Sequence, residues 1–166
     1  MNYISMTKAE IANGWGVRVA LWVSGCDHHC ENCQNPETWD CKAGRDFTGN
    51  DLNRLIKELS LPYYDGLTLT GGDPLHPQNI KTIEYIASSV KTLLPNKTIW
   101  CYTGYKFEDV KDLDLMKYID VLIDGEYIDS LRDITLPFVG SPNQRIIDVP
   151  KSLQSNQIIL YNTKLI

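Results

Sequence analysis

Three cysteines fall within eight residues in the run Cys26-Asp-His-His-Cys30-Glu-Asn-Cys33, immediately after an apolar segment. Thiolates are soft ligands suited to iron–sulfur clusters or to zinc. A four-iron cluster bound by this loop alone receives three protein sulfurs and keeps one iron open to a small molecule. A structural zinc site instead needs four closed ligands, usually on two paired arms, and no second paired arm follows. Cys41, His28 or His29 could still supply a fourth zinc ligand, so a zinc-binding module stays open as an alternative, as do three merely structural cysteines. As adjacent histidines in a polar loop, His28 and His29 are expected to be solvated and receive no role. Cys101 lies in an apolar run and Cys41 in a polar one, and both are read as structural.

A second element with chemical potential is Thr70-Gly71-Gly72-Asp73-Pro74, which ends another apolar run. Paired glycines let backbone approach a ligand without a Cβ in the way. Its carbonyls and the Asp73 carboxylate could accept hydrogen bonds from a ligand ammonium. Thr103 and Asp124 also close apolar runs and are candidates for holding a ribose or a cation, with a structural turn as the other reading. Arg145, in the turn-rich stretch 137–145, could pair with a ligand carboxylate or a partner surface, or simply be exposed.

These residues need a scaffold that presents strand ends side by side. Val17, Val19, Leu21 and Val23 alternate with Arg18, Ala20 and Trp22, the period of a strand with two unlike faces. From Asp51, the positions Leu52, Leu55, Ile56 and Leu59 predict an amphipathic helix, with Thr48 or Asn50 as cap. Gly66–Thr70 predicts a strand, and a helix opening at Pro77 buries Ile80, Ile83, Ile86, Ala87, Val90 and Leu94. Thr98–Thr103 and Val121–Ile123 predict further strands, separated by a weakly helical stretch from Glu108 to Tyr118. Such alternation implies parallel strands with crossover helices, and Arg145–Val149 and Gln157–Tyr161 could extend the same sheet. A closed eight-fold barrel needs roughly 200 residues or more. The 166 residues present predict one α/β domain, 1–166, shaped as an incomplete β/α barrel with mostly parallel strands.

Composition narrows the class. A formal net charge of −5 leaves no excess of Lys and Arg to neutralise phosphates, which argues against nucleic acid as partner. No apolar stretch approaches the ~20 residues needed to span a bilayer, and the first residues lack a signal-peptide core, so a cytoplasmic location is expected. An odd count of five cysteines suits a reducing compartment, where thiols bind metal rather than form a disulfide frame.

The Cys-x3-Cys-x2-Cys loop followed after the next strand by a Gly-Gly-acid turn resembles the radical S-adenosylmethionine superfamily. Asn13-Gly-Trp-Gly-Val-Arg18, Val23-Ser-Gly-Cys26, Gly71-Gly-Asp-Pro-Leu-His-Pro77, Tyr102-Thr-Gly-Tyr105, Asp124-Gly-Glu126 and Gly140-Ser-Pro-Asn-Gln144 are similar to the activating-protein family of anaerobic ribonucleoside-triphosphate reductase. The resemblance implies a [4Fe-4S] cluster on Cys26, Cys30 and Cys33, and S-adenosyl-L-methionine contacted by Asn32, Cys33, Gln34, Gly71, Gly72, Asp73, Thr103 and Asp124. Many superfamily members carry an aromatic residue where this chain has Asn32, so adenine would rest chiefly on backbone from Asn32 to Gln34. The implied partners are the large reductase subunit, which would receive a glycyl radical, and an electron donor such as a flavodoxin. The alternatives within the same chemistry are an activase of another glycyl-radical enzyme and a radical enzyme acting on a small molecule.

Overall fold

A computed structural model describes residues 1–163 as a seven-stranded sheet in the order β3-β1-β2-β4-β5-β6-β7. The strands are β1 (Asn2–Glu10), β2 (Arg18–Val23), β3 (Arg45–Asp46), β4 (Gly66–Gly71), β5 (Thr98–Tyr102), β6 (Val121–Asp124) and β7 (Arg145–Asp148). The helices are α1 (Gly49–Leu59), α2 (Ile80–Leu93), α3 (Phe107–Val110) and α4 (Val149–Ser155). Strands β2, β4, β5 and β6 run parallel, so their following loops share one edge of the sheet. The pairings β1–β2, β1–β3 and β6–β7 are antiparallel, and the sheet is therefore mixed and open.

The two faces of the sheet are unlike, as the alternation in β2 requires. Val19, Leu21, Val23, Leu67, Leu69, Ile99, Cys101 and Leu122 are fully buried on one face. Leu52, Leu55 and Leu59 of α1 and Ile83, Ile86, Ala87 and Val90 of α2 belong to the same cluster. Truncating such a side chain, as in Leu55→Ala, costs about 3 kcal/mol in lost transfer energy and cavity formation. On the opposite face, Trp100, Val121 and Ile123 form a smaller cluster with Tyr102, Phe138 and Val139. Thr48 caps α1, its backbone N–H and hydroxyl donating to the Asp51 carboxylate at 3.0 and 2.7 Å.

Several expectations are corrected. The second helix begins at Ile80, because residues 73–79 are held in turns by His76 N–H to the Asp73 carbonyl at 3.0 Å and Asn79 N–H to the His76 carbonyl at 2.7 Å. The stretch from Glu108 to Tyr118 divides into α3 and a 3-10 turn at Asp114–Tyr118. Of the expected strand Arg145–Val149, Arg145–Asp148 extends the sheet while Val149 opens α4, and it runs against the parallel direction, since residues 125–144 return to β7 without a crossover helix. Gln157–Tyr161 forms no strand and touches the sheet through one bridge, Leu160 to Ile147. The strand β1 was not anticipated, because its half-exposed residues show no clean alternation. Among the described residues, no helix is long and apolar enough to cross a membrane.

Candidate active site

A cavity of about 400 Å³ opens over the sheet face that α1 and α2 leave free. Its walls come from the loops after β2, β4, β5 and β6, closed on one side by Leu136, Phe138 and Val139. Cys26, Cys30 and Cys33 all line it, together with Gln34, Gly71, Gly72, Asp73 and Thr103. Sites of this kind sit at the carboxyl ends of parallel strands, where the loops leaving the strands meet. Gly71 has φ +99°, and a Cβ on it would stand 2.8 Å from the Val23 carbonyl oxygen, so only glycine lets the turn lie this close to the end of β2.

The cysteine loop presents its sulfurs to backbone donors. Asn35 N–H donates to Cys33 Sγ at 3.4 Å. Burial pushes the Cys26 thiol up to about 11, against the backbone N–H groups of His28 and His29 that favour the thiolate. Burial also raises Cys30, opposed by the Tyr127 N–H. Thiols held neutral by burial become thiolates when a cation binds them, and N–H donors at sulfur are the usual surroundings of a cluster ligand. Among the described residues, the buried side-chain polar atom without a partner is the Trp39 indole N–H, on a residue whose carbonyl accepts from Cys26 N–H at 3.1 Å. Its ring packs on His29 with centroids 4.7 Å apart. Amide-facing sulfurs gathered on one cavity fit an acceptor-rich group such as an iron–sulfur cluster.

Asp73 is nearly inaccessible, and its carboxylate accepts from Leu75 N–H at 2.8 Å, Gly104 N–H at 3.0 Å and the Thr103 hydroxyl at 2.9 Å. His28 Nε2 lies 2.9 Å from the same carboxylate, and its Nδ1 lies 2.9 Å from Glu126. Carboxylates only accept, so both ring nitrogens carry protons. The Asp73 hydrogen bond, opposed by burial and aided by Glu126, raises the imidazole to about 9. His28 carries no role in the sequence reading, because its partners lie 45 and 98 residues away and leave no local signal.

The other expected residues separate into two groups. Thr103 lines the cavity and orients Asp73. Asn32 is exposed outside it, its amide donating to Asp129 at 2.8 Å. Asp124 does not line the cavity; it accepts Phe107 N–H at 2.8 Å and pairs with Arg145. Arg145 also forks onto Glu108 at 3.0 and 2.7 Å, which lowers the Glu108 carboxyl to about 2 and raises the guanidinium. His29 Nδ1 bonds the Asp27 carbonyl at 3.0 Å. Cys41 lies behind the loop, 4.0 Å from His76 Nε2, and Cys101 is buried in β5.

A family model described as "4Fe-4S single cluster domain" matches residues 12–147. The anaerobic ribonucleoside-triphosphate reductase-activating protein of Enterobacteria phage T4 is 49% identical over 146 residues, spanning 88% of this chain and 93% of the relative. That of Haemophilus influenzae is 41% identical over 150 residues, covering 88% and 97%, and that of Escherichia coli K12 is 38% identical over 148 residues, covering 87% and 96%. Similarity of this extent carries across the cysteine loop, the glycine turn and the strands that hold them, and the chain belongs to the family of anaerobic ribonucleoside-triphosphate reductase-activating proteins.

Proposed function

We propose that this chain generates a glycyl radical on the large subunit of an anaerobic ribonucleoside-triphosphate reductase by reductive cleavage of S-adenosyl-L-methionine. The supporting observation is that all three cysteines of the loop and the Gly71-Gly72-Asp73 turn line one cavity at the end of the parallel strands. In this reading the architecture is an incomplete β/α barrel, supported by α1 and α2 packing on one face while the other faces the cavity.

Cys26, Cys30 and Cys33 would hold a [4Fe-4S] cluster with one iron left for the methionyl group. The chemistry that a cluster reduced by a donor such as a flavodoxin would supply there is one electron for breaking the sulfonium's bond to the ribose carbon, giving methionine and, with a hydrogen atom taken from a backbone glycine of the reductase, 5′-deoxyadenosine. The remaining work belongs to side chains and backbone. Gly71 and Gly72 offer main-chain atoms without steric obstruction, and Asp73, fixed by Thr103 and Gly104, sets the turn that carries them. Gln34 and Cys33 offer backbone to the adenine, while Leu136, Phe138 and Val139 keep water from the cavity wall. Asp124 acts here through Arg145 and Phe107, fixing the loop after β6. Among the described residues, no three His, Cys, Asp or Glu side chains converge to hold a single ion.

The test is anaerobic reconstitution with iron and sulfide, reduction, and mixing with S-adenosylmethionine and the cognate reductase. A glycyl-radical signal on the reductase by electron paramagnetic resonance is expected. Colourless protein lacking acid-labile sulfide, or an intact cluster that yields no radical on the reductase, overturns the reading.

A further inference from the structure

We infer that His28 is a positioning residue that locks the cysteine loop at a fixed distance from the glycine turn. The inference rests on the cluster and S-adenosylmethionine reading above. His28 itself lies in the loop after β2, and its ring touches the loops after the three other parallel strands. Nε2 meets Asp73 after β4 at 2.9 Å, and Nδ1 meets Glu126 after β6 at 2.9 Å. After β5, the Tyr105 ring packs edge-on with centroids 4.8 Å apart, and a Cβ on Gly104 would come within 2.5 Å of His28 Cδ2. The ring thus fills the space at the centre of the strand ends, between Cys26 and Cys30 on its own loop. Two hydrogen bonds to carboxylates and a close-packed edge restrain the ring, which leaves its remaining side to the cavity, so the sulfurs inherit their placement from Asp73 and Glu126. S-adenosylmethionine held by both the cysteine loop's cluster and the glycine turn would need the two elements at a set separation, and His28 is a side chain that joins them.

His28→Phe keeps a ring against Tyr105 and Gly104 but removes both nitrogens. In the cluster-free protein, backbone amides of residues 26–33 are expected to exchange with deuterium at least about tenfold faster, the factor for losing the buried charge-assisted hydrogen bond to Asp73, with the exposed one to Glu126 adding less. In reconstituted protein of wild-type iron content, the KM for S-adenosylmethionine is expected to rise about tenfold with a smaller fall in kcat. Glu126 is exposed, so Glu126→Ala should move both quantities the same way by a smaller factor, and His28→Gln, which can still bond one carboxylate, should recover part of the loss. Unchanged exchange in both His28→Phe and Glu126→Ala overturns the inference, as does an unchanged KM in both. If His28→Phe does not fold, Glu126→Ala alone decides. Should the wild type itself cleave no S-adenosylmethionine, the exchange measurement still judges the lock, and the proposed function fails separately.

Discussion

The two edges of the parallel strands treat polar groups in opposite ways. At the amino edge, Arg18 is fully buried, and every acceptor around it is neutral. Its Nε donates to the Thr68 hydroxyl at 2.7 Å, one terminal nitrogen to the Trp15 carbonyl and Thr98 hydroxyl at 2.9 and 3.0 Å, and the other to the Leu67 and Thr98 carbonyls at 2.7 and 2.9 Å. The guanidinium also stacks over Trp100 at 5.5 Å. Burial lowers its pKa to about 10, so it stays charged at neutral pH by virtue of a complete set of acceptors. At the carboxyl edge, thiols and glycine backbone face an open cavity. At the carboxyl edge the side chains of Asp73, His28 and Asp124 are also satisfied within the fold, and it is the thiols and the glycine backbone that stay open to the cavity. Stability and chemistry are thereby assigned to opposite ends of the same strands.

Substitutions at the two edges should therefore fail in different assays. The largest effect is expected from Cys30→Ala, which should abolish S-adenosylmethionine cleavage while leaving the thermal midpoint of cluster-free protein close to wild type. Cys101→Ala, within the core, should keep cleavage; equal loss of cleavage in the two variants would break the assignment of ligands. Next comes Arg18→Met, expected to cost about 3 kcal/mol in urea unfolding because buried carbonyls and hydroxyls lose their donor. Iron bound per folded molecule should be unchanged in that variant, and a parallel loss of iron would show that the edges are not independent.

Gly104→Ala should have an intermediate effect, since the added methyl collides with the His28 ring. A several-fold rise in the KM for S-adenosylmethionine, with little change in unfolding midpoint, would place the damage in the cavity. The smallest effect concerns a satisfied polar group beside the loops but outside the cavity. Burial raises the Asp51 carboxyl, but hydrogen bonds from Tyr3 and Thr48 outweigh it and hold it at about 2, below the usual 3.8. The folded form is the stronger acid, so its contribution is complete above about pH 4 and is lost as the pH falls through about 2. Urea midpoints across that window should drop more for wild type than for Asp51→Asn.

Much of this was legible from local pattern. β2, β4, β5, β6, α1 and most of α2 follow from period two or period 3.6, because each buries one face against the same core. The cysteine loop and the glycine turn were placed correctly at strand ends for the same reason. What stayed hidden depends on partners distant in sequence. The direction of β7 is set by pairing with β6, which no pattern within Arg145–Asp148 encodes. Arg145 looked available to a ligand, yet Asp124 and Glu108, 21 and 37 residues away, occupy its guanidinium. Asp73 looked like a free acceptor, yet Thr103, Gly104 and His28 converge on it.

The reversal of β7 has a consequence for how such a chain can change. A crossover connection would spend its residues travelling back along the sheet, but residues 125–144 leave β6 and enter β7 at the same edge. All of that segment therefore stays at the rim, where Ile128, Leu131 and Ile134 point outward. Insertions or deletions within it would reshape the entrance while leaving strand register untouched, which makes this stretch the natural place for a lineage to refit itself to a different partner.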